Sequence, residues 1–317
     1  MQLTTSQRKR TTLFALAALL TLPAVAQKKV QLVVDLPKNA SYVMSNSVAQ
    51  DISQTIMGME QGMSQNMEFV VQFDVVEKRR NGNFSIDMTY NEVRFDSKNP
   101  MGTASYDSAD PDSEPTQETL AYSAMVGQTI GMDMTPNASI EDVRGLDALI
   151  DNMLNAYGIP EGAQRAEVKG MLDQQFNSSS LKNQIGAAMV AYPNNAVGVG
   201  DSWKDTREVS AGFPLVINAT YTVKEIRDDV VILDVKSDIE TGKMDKPMQM
   251  QGMEMMYKLS GTQNGTMTVD RKTGWVLSAS IDQDVSGNVD LLPNAQVPDG
   301  MSWPISIKST NSTTIIE

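Results

Sequence analysis

The chain has 317 residues, 39 of them acidic against 26 basic, a formal net charge of −13, and neither histidine nor cysteine. That composition excludes Ser-His-Asp and Cys-His catalysis, ordinary zinc and non-haem iron sites, disulfides, and the lipid-bearing cysteine of a lipoprotein. The negative surplus repels phosphate backbones and anionic bilayers, so nucleic acid is not an expected partner.

Arg8, Lys9 and Arg10 precede the apolar run Leu13 to Leu22, and Ala24-Val25-Ala26 carries the small-residue pattern of a signal-peptidase site. Residues 1–26 are therefore expected to be a cleaved signal peptide, leaving a mature chain in the periplasm or outside the cell. Taking Arg8, Lys9 and Arg10 away with it moves the net charge from −13 to −16. No later stretch approaches roughly 18 unbroken apolar residues, so the mature chain is expected to carry no transmembrane segment.

Residues 27–138 read as a first β-rich half. Val30 to Leu36 opens it, and Tyr42, Met44, Val48, Ile52 and Ile56 then share one face. Met67, Phe69, Val71, Phe73 and Val75 alternate with polar residues, Arg80-Asn81-Gly82 turns the chain, and Phe84, Ile86, Met88 and Tyr90 return as a hairpin. Strands of about 12 residues reach roughly 40 Å, and twisted strands of that length curl toward a half-barrel. Asp96 to Thr116, with Asp107, Asp110, Asp112 and Glu114, reads as a solvated acidic loop, because its carboxylates lack the spacing of a calcium loop. Leu120 to Val126 and Gln128 to Met134 complete the half.

Between Ser139 and Tyr192 the apolar period changes from two to between three and four. One helix takes Leu146, Leu149, Ile150, Met153 and Leu154 and stops at Gly158; Ile140 to Val143 fits either its first turn, capped by Ser139, or a short strand that delays the helix to about Gly145. A second carries Val168, Met171, Leu172 and Phe176, and a third carries Leu181, Ile185, Ala188 and Tyr192 up to Pro193. Each has one apolar face that needs covering.

Residues 193–317 repeat the first plan. Trp203 follows Gly200-Asp201; Leu215, Ile217, Ala219, Tyr221 and Val223 alternate; Asp228-Asp229 turns; and Val231, Leu233, Val235 and Ile239 return. Tyr257 to Val269 and Trp275 to Val289 form a further pair through Asp270 to Gly274, and a last strand runs from Trp303 to about Ile316. Ser179-Ser180-Leu181-Lys182, Tyr192-Pro193-Asn194 and Lys272-Thr273-Gly274 match in order the motifs of penicillin-recognising serine enzymes, but nine residues between the first two leave no room for the helical domain those enzymes need.

Methionine is abundant, at 22 residues, and clusters in both halves. Met57, Met59 and Met63 with Met248, Met250 and Met253 would supply soft thioethers to Cu(I); equally, methionine lines adaptable apolar surface. The absence of His and Cys beside the clusters favours packing or pocket lining.

Met57-Gly58-Met59, Tyr106-Asp107-Ser108, Val143 to Leu149, Gly200-Asp201-Ser202-Trp203, and Asp270 with Thr273-Gly274 together resemble an exported Bacteroidota family catalogued as domain of unknown function 6263. The resemblance implies a match over nearly all of the mature chain and transfers no activity, cofactor or site residue. Ala138 stands where the family's turn after Pro136-Asn137 would take glycine.

The expected fold is α+β: a large curved antiparallel β-sheet, half-barrel-like, as one unit or two related lobes, with the helical segment on its concave face. The expected function is that of a non-enzymatic envelope protein, without cofactor, binding a hydrophobic small molecule or lipid such as an acyl chain. Met153, Leu154, Met171, Leu172, Phe176, Ile185 and Met189 are the expected lining. A structural or interaction module of the envelope and Met-based Cu(I) binding are the alternatives.

Overall fold

The computed structural model describes residues 29–175, 178–210, 213–244, 247–250 and 253–316; the expected signal peptide lies outside them. Four strands come first: β1 (Ser41–Ile56), β2 (Met59–Lys78), β3 (Phe84–Asn99) and β4 (Gly102–Asp107). The middle holds α1 (Leu120–Ser123), β5 (Thr129–Met134), β6 (Ile140–Arg144), α2 (Leu146–Ala156), α3 (Ala163–Gln175) and α4 (Ser178–Ala188). Then follow β7 (Ser202–Ser210), β8 (Pro214–Ile226), β9 (Val230–Thr241), β10 (Met248–Met250), β11 (Met253–Asp270), β12 (Val276–Leu291) and β13 (Met301–Ile315). Strand far outweighs helix among the described residues, so the sheet dictates the shape.

All the strands belong to one antiparallel sheet in the order β6-β5-β3-β2-β1-β13-β12-β11-β9-β8-β7, with β4 beside the far end of β3 and β10 beside β11. The halves are joined in the middle by β1 and β13, from Met44 opposite Ile315 to Gln54 opposite Ile305. This is one continuous sheet, and it is not closed into a barrel.

Its curvature follows from the placing of side chains. Tyr221 of β8 and Asn46 of β1 line the same cavity, although five strand steps separate them in the sheet. Laid flat, those steps would span about 24 Å. The bend has a cause in β11 and β12, where Gly261, Gly265 and Gly287 fall in phase with the buried residues Leu259, Met267, Val285 and Val289. A Cβ on Gly265 would sit 2.1 Å from the Ser280 carbonyl oxygen, and one on Gly287 would sit 2.0 Å from that of Lys258. Without those atoms the inner faces of the two strands close on each other.

The main core fills one end of the bent sheet. Phe84, Ile86, Ile130, Met132, Leu233, Val269 and Trp275 meet there from both flanks. Tyr42 stacks on Trp275 at 5.1 Å between ring centroids, and Phe73 meets the same indole edge-on at 5.4 Å. Through this end runs the segment Val30 to Leu36, whose even-numbered side chains are buried. Its alternation predicts a strand, but among the described residues its one bridge is Val30 with Val197, and otherwise its backbone bonds to turns: Val34 N–H to the Pro136 carbonyl and Asp35 N–H to that of Thr273. Period two here reports a buried side, not a ladder partner. A second cluster, including Leu215, Ile239, Tyr257, Leu259, Val289 and Trp303, occupies the other end.

Some boundaries differ from the sequence expectation, and one decides between the two readings it left open. Ile140 to Arg144 is a strand, so the helix starts after Gly145, at φ 88°, and Ser139 caps nothing. The acidic stretch from Asp96 is strand as far as Asp107, where β3 and β4 pair, and only the residues after it form loop. Leu120–Ser123 is a single helical turn, because Ser123 and Ala124 N–H bond back to Thr119 and Leu120 and leave no donor for a ladder. Ala138 does adopt the left-handed conformation, φ 64°, that favours glycine, and its methyl is buried in the core.

One ion cluster fixes the β5–β6 edge. Asp133 accepts hydrogen bonds from Arg79 Nη1 at 2.7 Å and Nη2 at 3.1 Å, and Arg144 Nη1 lies 3.0 Å away on the other side. Burial alone pushes the Asp133 carboxyl up, but hydrogen bonds from Arg79, Arg144 and Ser85 together outweigh it and hold the group below the usual carboxylate range. Asp133→Ala is expected to cost about 2 kcal/mol, discounted from the fully buried case because both arginines are partly exposed. A depressed folded-state value gives stability that is present above the unfolded value and lost as pH falls through the folded one. Urea unfolding of the two proteins should therefore differ at pH 7 and converge toward acid, below about pH 4; a difference independent of pH would rule the charge out as its cause.

Candidate ligand cavity

The inner face of the sheet changes character along its length. Between the two apolar ends lies a belt in which Gln263 and Gln283 face each other across β11 and β12, joined by a 2.9 Å hydrogen bond. Register places Asn46, Asn311 and Thr313 in the same phase on β1 and β13, and Thr313 Oγ1 lies 2.9 Å from Asn46 Oδ1. A cavity of 380 Å³ opens against this belt, with Ile217, Tyr221, Val235, Met267, Ala279 and Ile281 as its apolar wall. Its volume falls within the range of about 300–1,000 Å³ usual for small-molecule sites.

Arg207 and Ser237 also line that cavity. β7 alternates, so Trp203, Asp205, Arg207 and Val209 are half-buried while Ser202, Lys204, Thr206 and Glu208 are exposed. Arg207 Nε donates to the Asp205 carboxylate, and a Cβ on Gly186 of α4 would lie 3.4 Å from its Nη1. Nη1 itself and Ser237 Oγ are buried without a hydrogen-bond partner among the described residues. Tyr221 stacks on Trp203 at 5.6 Å, and the indole Nε1 of Trp203 donates to the Ala191 carbonyl at 2.7 Å, tying this wall to the segment after α4. Burial raises the Tyr221 phenol above its ordinary range, with Asp205 adding to the rise and Arg207 opposing it.

A second cavity of 200 Å³ adjoins the first, since Asn46 and Thr313 belong to the walls of both. Phe69, Val71, Phe73, Met88 and Tyr90 line it from β2 and β3, and Leu181, Ile185 and Met189 line it from α4 and the residue after it. Burial pushes the Tyr90 phenol up to about 12, so it stays protonated at any physiological pH. α4 packs against both β6 and β7, the two outermost strands of the open sheet, and so spans the gap that keeps the sheet from being a barrel. A larger depression of 580 Å³ is lined mainly by polar groups, Asp51, Asp282, Asp284 and Lys308 among them, and offers no comparable apolar wall.

Of the residues expected to line a ligand site, Ile185 and Met189 thus border the smaller cavity. Met153 and Leu154 are buried, at 4% and 0% exposure, and border neither. Leu172 is half-buried on α3, the side chain of Met171 is not described, and Phe176 lies outside the described residues. The methionines of the Cu(I) alternative fall on two hairpins, three on β1–β2 and three on β10–β11. Met57 and Met59, 76% and 62% exposed, stand at the tip of the β1–β2 hairpin, whereas Met248 and Met253 pack on the second apolar cluster beside β11; Met63 lies on β2 opposite Ile52, and Met250 pairs with Met253. Sequence reasoning missed Arg207 and Ser237. The available signal was that Asp205 and Arg207 fall in phase with Trp203 and Val209 on an alternating strand, which puts charge on the apolar side.

The motifs that carry the family resemblance are turns and braces. Gly274, at φ 66°, passes so close to the Val30–Leu36 segment that a Cβ would sit 2.1 Å from the Val33 carbonyl oxygen. Asp270 Oδ1 accepts from Lys272 N–H at 3.0 Å, Thr273 N–H at 2.6 Å and Thr273 Oγ1 at 2.7 Å, so Lys272-Thr273-Gly274 is a hairpin turn. Gly145 admits the Thr129 carbonyl, Asp201 accepts from Gly198 N–H and Lys29 Nζ, and Ser108 Oγ accepts from Val93 N–H. Met57 and Gly58, both at positive φ, form the tight β1–β2 turn.

None of the curated proteins compared matches the chain. The solved structures that match include two with low TM-scores. One, described as lipid-protein interactions in lipovitellin, has a TM-score of 0.48 at 10% identity, covering 89% of this chain and 26% of that one, so the chain spans about a quarter of its length. The other, the translocator domain of the autotransporter NalP from Neisseria meningitidis, has a TM-score of 0.22 at 7% identity, covering 89% and 90%. Residues 81–276 match the group described as "Family of unknown function (DUF6263)", a shorter span than the expected near-complete match and one that leaves the Met57-Gly58-Met59 turn outside. The chain belongs to that family.

Proposed function

We propose that the protein is an exported, non-enzymatic carrier that holds a hydrophobic molecule, such as an acyl chain, on the concave side of its sheet beneath α4. The observation that carries this reading is the pair of adjoining cavities, 380 and 200 Å³, that share Asn46 and Thr313 and are walled by apolar side chains from both flanks and from the helical segment. An extended chain laid from Ile281 and Met267 past Thr313 toward Phe69 and Met189 would exchange water for hydrocarbon along its length, at about 0.8 kcal/mol per methylene buried. α4 supports the reading as a cover: it is a short helix held by the two outermost strands, and its Leu181 and Ile185, with Met189 just past its end, close the smaller cavity while packing on the main core.

The test is binding of a fluorescent acyl probe, together with native mass spectrometry of protein purified from its natural host. Met189→Trp, which fills the smaller cavity, is expected to weaken the probe by about tenfold while leaving thermal unfolding within a few degrees. Purified protein that carries no apolar molecule and binds no acyl probe would sink the reading, as would measured turnover of an ester or a sugar at this site.

A further inference from the structure

We infer that the molecule carried in the larger cavity bears an uncharged hydrogen-bond acceptor, the carbonyl of an ester or an amide, and not a free carboxylate. The inference rests on the carrier reading and adds the chemistry of the head group. Two donors point to it. Arg207 Nη1 and Ser237 Oγ are buried without a partner among the described residues, and both residues line one cavity together with apolar wall from β8, β9, β11 and β12. A buried donor left unpaired costs about 1–3 kcal/mol, more on a charged group, so an acceptor brought to these atoms is favoured by that amount over a plain hydrocarbon.

The sign of the charge decides which acceptor. An anion would be drawn to a lone guanidinium, but Arg207 is already paired through Nε with Asp205, two residues along on the same inward face. A ligand carboxylate at Nη1 would therefore share the site with the Asp205 carboxylate in a chain of net charge −13, and would lose its own hydration on entering. A carbonyl oxygen accepts the same hydrogen bonds, meets no like-charge repulsion and gives up far less hydration. Inward-facing charge on an outermost strand also discourages pairing with another chain. Edge protection, however, gives no reason for the pair to be half-buried beneath Gly186 of α4 with one nitrogen unsatisfied.

The experiment is competition of dodecanoic acid and of its methyl ester against a bound fluorescent acyl probe at pH 8. The native protein is expected to prefer the ester by about tenfold. Asp205→Asn, which removes the competing carboxylate and leaves the guanidinium charge unbalanced, is expected to reverse that order in favour of the acid. Ser237→Ala is expected to weaken the ester about threefold and serves if the Asp205 variant does not fold. Equal binding of acid and ester by the native protein, an order unchanged in Asp205→Asn, or ester affinity untouched by Ser237→Ala would each overturn the inference while leaving a carrier of plain hydrocarbon standing. If the probe itself fails to bind, the carrier reading falls and takes the inference with it.

Discussion

Gly274→Ala is expected to destabilise the protein by about 4 kcal/mol or more, the largest effect of any single methyl group considered, because two independent costs coincide. The residue sits at φ 66°, where a side chain is strained, and the new Cβ would stand 2.1 Å from the Val33 carbonyl oxygen and 2.6 Å from its carbon. Neither neighbour is the end of a flexible side chain. The turn is pinned by three hydrogen bonds to Asp270, and its Gly274 carbonyl accepts the Tyr192 hydroxyl at 2.7 Å, so the turn cannot retreat. Val33 must move instead, and with it the segment that buries Val30, Leu32, Val34 and Leu36. Urea unfolding measures the loss, and trypsin should cut more readily at Lys38 than in the parent. A midpoint within about 1 kcal/mol of the parent would mean that the segment is not seated as described.

Gly265→Val is expected to act on shape as well as stability. Its partner across the ladder is Ile281, whose Cδ1 would lie 2.8 Å from the new Cβ, with the Ser280 carbonyl oxygen closer still at 2.1 Å. To admit the side chain, β11 and β12 must part on their inner face, which flattens the bend where Ile281 and Met267 form the cavity wall. A loss of about 3 kcal/mol is expected, with acyl-probe binding reduced further than the unfolded fraction alone explains. Gly62→Ala is the control: it lies in β2 with nothing within 4 Å of its Cβ position, so stability and binding should both hold. Equal behaviour of the two variants would remove the link between the inner glycines and curvature.

The hairpins were legible because their alternation and their turns agree. Phe69 to Val75, Arg80-Asn81-Gly82 and Phe84 to Tyr90 say the same thing locally and globally, and the register confirms it. Ile140 to Val143 was not decidable, since four residues satisfy either period; Gly145, which must admit the Thr129 carbonyl, settles it from outside the segment. Val30 to Leu36 misled for another reason: alternation records which side is buried, and a lone extended segment lying across turns buries one side just as a strand does. Ile185 belongs to the apolar stripe expected of its helix and borders the smaller cavity together with Met189, one residue past the end of α4. Arg207 and Ser237 were not legible, because nothing in their own neighbourhoods reveals which distant strands they face. The family motifs, made of turn glycines and their braces, encode how the sheet is built and are silent on the chemistry inside it.

The position of β13 has a consequence for biosynthesis. It is the latest of the strands to leave the ribosome, yet its place is between β1, the earliest, and β12. Until it arrives, both of those strands present a bare row of amides and carbonyls, and the two halves of the nascent molecule have no hydrogen-bonded seam between them. A polypeptide of this design must stay unaggregated from the synthesis of β1 until β13 has been made before its central ladder can zip, so its yield should depend on holding chaperones far more than its final stability would suggest.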